Sequence, residues 1–486
     1  MISWLALAMI LVPTAGALLC AVLRARARSA AVAIGALVTA AAAWIAVAGF
    51  GGTYRSAIGD LPWLHGVSAA PVFGILVDPL ALVMLLVVAP VGLLTTLYST
   101  SYLTEKNREH PVGTSQYGRY YFWLLLFIGS MVGVAVSPNF VQLLVFWELT
   151  TVCSWALISF HQDERSLRAG FKAMLMTQAG GAFLLVATLI LFARTGSFEF
   201  SALSALPASS RNWVFVFILI AAWAKAAQVP MQTWLPDAME APTPVSAYLH
   251  AAAMVKAGVY LAARTVGSGW AMSPRLSALM AAMALLTIFA ALSFYFVQDD
   301  LKRLLAYSTI AHLGYVLLGV AIGALGVPLG YRGGVLHILC HGVSKATLFF
   351  CVGAIAYVTG TRKISALGGL GGKMPLTATA FFVGLLSVAG VPPLACFWSK
   401  FMILAGAMRL QGPAGPVILT LVLCETLISF GWMLYVAQKV FLGKTRAPAQ
   451  VQGDPPLALR LTLVALMIGC LTVPLVGIPL VQHMGT

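Results

Sequence analysis

Charged side chains are scarce in this chain. Asp, Glu, Lys and Arg make up only 9% of its 486 residues, against 60% hydrophobic residues. That balance excludes an ordinary soluble domain and reads as an integral membrane protein. Acidic residues are rarer still, with 14 Asp and Glu against 29 Lys and Arg and a net charge of +15. A basic excess can mark a nucleic-acid partner, but no basic run here exceeds a few residues, and basic membrane proteins owe their charge to loops on one side. Nucleic acid is therefore not an expected partner; the lipid bilayer is.

Cysteines are few and dispersed. Cys20, Cys153, Cys340, Cys351, Cys396, Cys424 and Cys470 stand singly, with no C-x-x-C spacing, which argues against disulfides, zinc and iron–sulfur ligation. No cofactor or metal is expected in this chain. The glycine-rich run Gly368 to Lys373 is followed by Met374 and lacks the G-x-x-x-x-G-K-[ST] spacing of a phosphate loop. The chain thus shows no energy source of its own. A positive n-region is also missing at the N-terminus, and Met1 to Leu23 is too long for a signal h-region. It reads as a retained first membrane helix that starts outside.

Long apolar stretches are what the sequence does have. Segments long enough to span a bilayer as helices are expected at 2–23, 29–50, 72–99, 118–136, 138–160, 167–193, 211–236, 242–266, 275–297, 301–323, 329–359, 375–407, 415–442 and 458–481. The expected fold is an all-α polytopic membrane protein of about fourteen transmembrane helices. Loops of one parity carry seventeen Lys and Arg, including Arg24, Lys172, Lys302, Arg362 and Arg446; the other parity carries seven, including Arg55 and Arg264. The positive-inside bias then puts both termini outside.

Two lysines lie within apolar segments beside proline breaks. Lys225 precedes Pro230, and Lys400 follows Pro392 and Pro393. A charge at bilayer depth is costly and rare unless it faces water, a partner or a pathway, and broken helices are tolerated only where the freed backbone is buried or lines a cavity. If spans four to eight form one unit and nine to thirteen another, each broken segment is the fourth helix of its unit. An odd helix count inverts the second unit, and matching interruptions point to a transport site. The expected organisation is a three-helix segment at 1–110, repeats at 111–268 and 269–445, and a last helix at 446–486: two inverted five-helix repeats, each with a broken helix.

Other ionisable groups fall in the same segments. Glu148 reads either as a structural ion-pair partner of a lysine or as one half of a proton-exchanging pair, since burial and a nearby cation pull a carboxyl in opposite directions. Lys225 and Lys256 flank a proline-set turn that includes Asp237. His250 precedes Lys256 by six residues, about 120° around a continuous helix. His337, His341 and Lys345 recur every fourth residue and share one face, the form of a proton relay. The alternative is that the histidines satisfy buried carbonyls. For His312, alone in its span, relay and core stay equally open. Asp78, before Pro79, is a candidate kink cap, and Glu425 a counter-charge to a lysine.

The block from Trp223 to Met239, with Ala241 to His250, Met254 to Tyr260, His341 to Lys345, Gly390 to Pro393 and Ser399 to Phe401, resembles the antiporter-like membrane subunits of respiratory complex I and its relatives. Tyr98 to Pro111 and Cys153 to Ser159 look most like the D-type membrane component of hydrogenase-4-type, formate-hydrogenlyase-related complexes. The resemblance implies a proton channel of fourteen helices. Glu148 would pair with Lys225, Lys256 would be the central connecting lysine, His341 and Lys345 would lie on the central hydrophilic axis, and Lys400 would serve the second half-channel. Two departures are visible: no long lateral helix is expected after the fourteenth span, and small residues follow His341 where the family often has an aromatic.

On this reading the protein conducts protons and is not catalytic alone. Its partners would be other membrane subunits and a peripheral redox arm, nickel-iron hydrogenase-like or quinone-reducing, in a bacterial or archaeal cell membrane. The alternatives are a sodium/proton antiporter subunit of the multiple-resistance-and-pH type, and a structural anchor.

Overall fold

The computed structural model describes residues 1–59, 72–268, 272–444 and 453–484. The boundaries drawn at 269 and at 445–446, and Arg446 in the charge count, lie outside the described residues. In lipid, backbone groups must be satisfied within the segment, and the apolar stretches accordingly form helices. The first are α1 (Ile2–Leu23), α2 (Ala27–Ala48), α3 (Pro79–Tyr102), α4 (Tyr117–Val136), α5 (Phe140–Ile158), α6 (Glu164–Thr195) and α7 (Ala208–Lys225). Next come α8 (Trp234–Asp237), α9 (Thr243–Ala251), α10 (Met254–Gly267), α11 (Pro274–Ser293), α12 (Leu301–Ala324) and α13 (Pro328–Thr359). The last are α14 (Pro375–Ala389), α15 (Ala395–Ala407), α16 (Ala414–Phe441) and α17 (Leu457–Gln482).

Among the described residues, eleven stretches are long and apolar enough to cross a membrane, the first of which, Ile2–Ala48, holds both α1 and α2. The interrupted pairs α7–α8 and α14–α15 supply two more crossings, in keeping with the expected fourteen. The most apolar 18-residue stretches of α9–α10, α12 and α13 are wholly buried, whereas those of α16 and α17 are only 22% and 33% buried. Inner helices can come close because they carry glycine at their contacts: a Cβ on Gly319 of α12 would lie 2.7 Å from Gly334 Cα of α13. Close backbone approach replaces the hydrophobic drive that lipid cannot supply.

Three local features depart from the sequence reading. Residues 73–77, assigned to the third span, form a strand instead: β2 (Phe73–Val77) pairs antiparallel with β1 (Tyr54–Gly59). The Gln142 side chain of α5 clasps this hairpin, accepting from Gly74 N at 2.9 Å and donating to Gly74 O at 3.0 Å. Asp78 consequently caps the start of α3, its carboxylate accepting from Ala81 N at 2.8 Å with Pro79 in the first turn, rather than a kink within it.

The expected breaks are present, since α7 ends at Lys225 and α14 at Ala389. In the first, the Ala224 carbonyl accepts from the Ala227 amide at 3.3 Å and from the Trp234 indole at 3.0 Å. In the second, Gly390 adopts a left-handed φ of 91° before Pro392 and Pro393. A third, unexpected break at Ala252 and Ala253 separates α9 from α10. His250 and Lys256 are therefore on different helices, and the 120° relation does not apply.

Candidate functional site: a buried row of lysines and histidines

Lys225 is fully buried at the last position of α7, where the break lets its side chain reach α5. Its ammonium donates to Trp147 O at 2.5 Å and to Thr151 Oγ1 at 2.9 Å, and lies 4.4 Å from the centre of the Trp147 ring. It forms no direct ion pair with Glu148 among the described residues. The Thr151 hydroxyl that accepts from Lys225 also adjoins the Glu148 carboxylate, whose Oε2 has no hydrogen-bond partner among the described residues. Oε1 rests against α6, where a Cβ on Gly181 would overlap it.

Lys256 and His341 meet directly, Nζ to Nδ1 at 2.7 Å, because the third break places Lys256 in the first turn of α10 facing α13. The His312 ring stacks on His341 at 5.1 Å and on His337 at 5.2 Å, and His312 Nδ1 lies 3.0 Å from His337 Nε2. His337 Nδ1 is in turn 2.8 Å from Ser399 Oγ, beside Lys400. The structure thus joins His312 of α12 to the histidine face of α13. Lys345, one turn beyond His341, turns toward α12 and donates to Leu305 O at 3.3 Å.

Lys400, on α15 just after the second break, donates to Ala389 O at 3.2 Å and to Thr426 Oγ1 at 3.5 Å, with its Nζ 4.7 Å from the Tyr315 ring centre. Tyr315 donates to the buried Glu425 carboxylate and is 3.1 Å from Thr426 Oγ1. Glu425 therefore reaches Lys400 through Tyr315 and Thr426 rather than by a direct pair. Buried polar groups linked in this way can pass a proton by exchanging donor and acceptor roles.

Of the remaining candidates, His250 lies near Lys256, Lys302 and Lys345, whereas Asp78 and Asp237 sit elsewhere. His250 is fully buried with neither ring nitrogen hydrogen-bonded among the described residues, and its ring centre lies 4.6 Å from that of Phe349, tilted by 34°. Asp78 forms a two-pronged pair with Arg264, whose guanidinium also holds Tyr260. Burial pushes the Asp78 carboxyl up, but the Arg264 guanidinium outweighs it and holds the group below the usual carboxylate range. Arg264 is consequently not a loop charge. Asp237 lies at the surface, paired with Lys172 at 2.7 Å and Arg303 at 3.4 Å.

Sequence reading missed a second group of charges. Lys302, counted as a loop residue, is only 1% exposed in the first turn of α12 and donates to Met239 O at 2.7 Å and Ala241 O at 2.6 Å. Asp300 caps that helix through the Lys302 and Arg303 amides, a signal legible in Asp300-Leu301-Lys302-Arg303. Nearby, Arg362 binds Asp300 at 2.6 Å and Glu109 at 3.2 Å. His110 and His161 stack at 4.4 Å beside this cluster, and burial pushes the His161 imidazole down to about 3. Tyr315 was also missed, although it lies three residues beyond His312 and so shares its face.

The NADH:quinone oxidoreductase/Mrp antiporter transmembrane family matches residues 137–429. The chain belongs to this family. Residues 63–121 match the N-terminal region of complex I chain 5. The chain is 37% identical over 419 residues to the chloroplastic NAD(P)H-quinone oxidoreductase subunit 5 of Anthoceros angustus, covering 81% of this chain and 54% of that protein. It is 36% identical over 409 residues to a Na(+)/H(+) antiporter subunit of Alkalihalophilus pseudofirmus, covering 79% and 49%. It therefore spans about half the length of the curated relatives it matches. Among solved structures, the Mrp complex from a Dietzia species superposes with a TM-score of 0.87 at 31% identity, over 99% of this chain and 51% of that one. A chain of the archaeal membrane-bound sulfane sulfur reductase superposes with a TM-score of 0.82 at 25% identity, over 98% and 96%. Its transmembrane fold is thus that of the antiporter-like chains of the complex I and Mrp kind.

Proposed function

We propose that this protein conducts protons through the membrane as part of a redox-driven complex of the hydrogenase-4 type or a relative of complex I. The observation that carries this reading is the buried polar row itself: Lys256 on His341, His312 on His341 and His337, His337 on Ser399, and Lys400 beside it. A structural role alone gives no reason to string lysines and histidines through the best-buried helices, where each uncompensated polar group is costly. In the proposed mechanism, charge arriving near Glu148 shifts the proton held by Lys225. The change then passes through Lys256 and the His341 face to Lys400, each step biased by the charge state of its neighbour. The chain contributes the path; nickel-iron or quinone chemistry would reside in partner subunits of a bacterial or archaeal cell membrane, with both termini outside.

The decisive experiment reconstitutes the complex in proteoliposomes and follows internal pH with a dye. Replacing Lys225 or Lys400 by Ala should abolish proton movement in an assembled complex; unchanged movement would leave only a structural anchor. A second reading, sodium/proton antiport, is supported by the likeness to the Mrp complex and to the Alkalihalophilus antiporter protein. Dependence of proton movement on external sodium selects it, and mass spectrometry of co-purifying chains identifies the complex.

A further inference from the structure

We infer that Lys302 is a proton-exchange station connecting the ionic cluster at one face of the protein to the buried row at Lys345. The inference rests on the proton-conducting reading and adds to it a way in from the surface.

Lys302 is buried, yet it forms no ion pair with a carboxylate among the described residues; its ammonium is held by the Met239 and Ala241 carbonyls. Those carbonyls could be satisfied by a neutral donor, so a lysine carries a desolvation cost that strapping the loop does not require. On its outer side lies a partly exposed cluster. Arg362 donates to the same Met239 carbonyl at 3.3 Å while pairing with Glu109 and Asp300, and Glu240 lies 4.0 Å away. Three carboxylates around a guanidinium form an antenna that gathers protons from water and delivers them next to Lys302.

On its inner side, Lys302 and Leu305 are one turn apart on α12, about 4.5 Å along the axis. The Leu305 carbonyl is the one that accepts from Lys345. Lys345 is one turn from His341 on α13, and His341 touches Lys256. The order from the surface is thus the carboxylate cluster, Lys302, Lys345, and the His341–Lys256 contact. In each cycle the Lys302 ammonium gives one proton inward, past the buried His250 ring that lies near both lysines, to a neutral Lys345 amine and regains one from the cluster. Charge and proton number balance, and no electron moves.

The test is made on the intact complex in proteoliposomes, with Lys302→Arg, Lys302→Met and Lys400→Ala compared. Arginine keeps the charge and the donors to both carbonyls but does not release its proton, so Lys302→Arg should assemble normally and lose proton flux by about tenfold or more. Lys302→Met should lose flux to a similar extent. Wild-type flux in either assembled variant, with Lys400→Ala inactive, overturns the role of Lys302 and leaves the proton path standing. Wild-type flux in Lys400→Ala as well defeats the underlying reading. Failure of both Lys302 variants to assemble assigns the residue to holding the loop and also overturns the inference.

Discussion

Lys256 Nζ and His341 Nδ1 lie 2.7 Å apart although 85 residues separate them in sequence. At that distance one atom must donate and the other accept, so an ammonium on Lys256 requires an unprotonated Nδ1 and places the imidazole hydrogen on Nε2. That Nε2 is buried without a hydrogen-bond partner among the described residues. The pair therefore has two arrangements, one with the proton on each partner, and a hydrogen left pointing onward.

His341→Leu and Lys256→Met should each lower proton flux by about tenfold or more while the complex still assembles, because each removes one side of the shared proton. Flux is read by dye response in proteoliposomes and assembly by co-purification. A His341→Leu complex with unaltered flux would remove this contact from the path.

Gly181 determines where the Glu148 carboxylate can sit. A methyl group there would overlap Oε1 and displace it from α6. Gly181→Ala should reduce flux several-fold, by an amount on the order of 1 kcal/mol in the barrier, with normal assembly. Fluxes indistinguishable from wild type would mean that the position of the carboxylate against α6 is immaterial.

Glu425 acts on Lys400 through Tyr315 and Thr426. Glu425→Gln keeps an acceptor for the Tyr315 hydroxyl but removes the charge, whereas Tyr315→Phe removes the link and keeps the charge. Both should slow proton movement, with Glu425→Gln the more severe. The reverse ranking in side-by-side flux measurements would assign the effect to the hydrogen bond.

Asp78 is expected to be structural. Asp78→Asn retains an oxygen for the Ala81 amide but strands the buried Arg264, a loss of about 3 kcal/mol; Asp78→Ala removes the cap as well, about 1 kcal/mol more. Melting temperatures in detergent should fall in the order wild type, Asn, Ala, with flux unchanged in surviving complexes. Because the folded-state carboxyl is held low, its contribution is present above the unfolded value near 4 and fades only as pH falls through the folded value. The wild-type advantage should thus persist at neutral pH and shrink in acid, and equal melting at neutral pH would exclude the ion pair as a stabiliser.

Much of the architecture is legible in the residues. Apolar runs of bilayer length become helices because lipid offers the backbone no other partner, and the breaks beside Lys225 and Lys400 follow from prolines that cannot continue a helix. The four-residue spacing of His337, His341 and Lys345 fixes their common face. The break at Ala252 and Ala253 had no such signal, since three alanines favour helix; there α13 approaches so closely that a Cβ on Gly342 would lie 2.8 Å from Ala251 O. The strand at Phe73–Val77 escaped because a short apolar run reads alike as strand or helix.

Composition, hydropathy and proline positions determined by themselves that this chain crosses the membrane many times and keeps lysines within it. Which neighbour each lysine touches was decided by tertiary structure alone, because that depends on how helices distant in sequence rotate and approach. Packing carried Lys256 to His341, drew His312 into the row, left the Glu148 carboxylate beside Gly181 rather than on Lys225, and buried Lys302 beneath a cluster of surface charges.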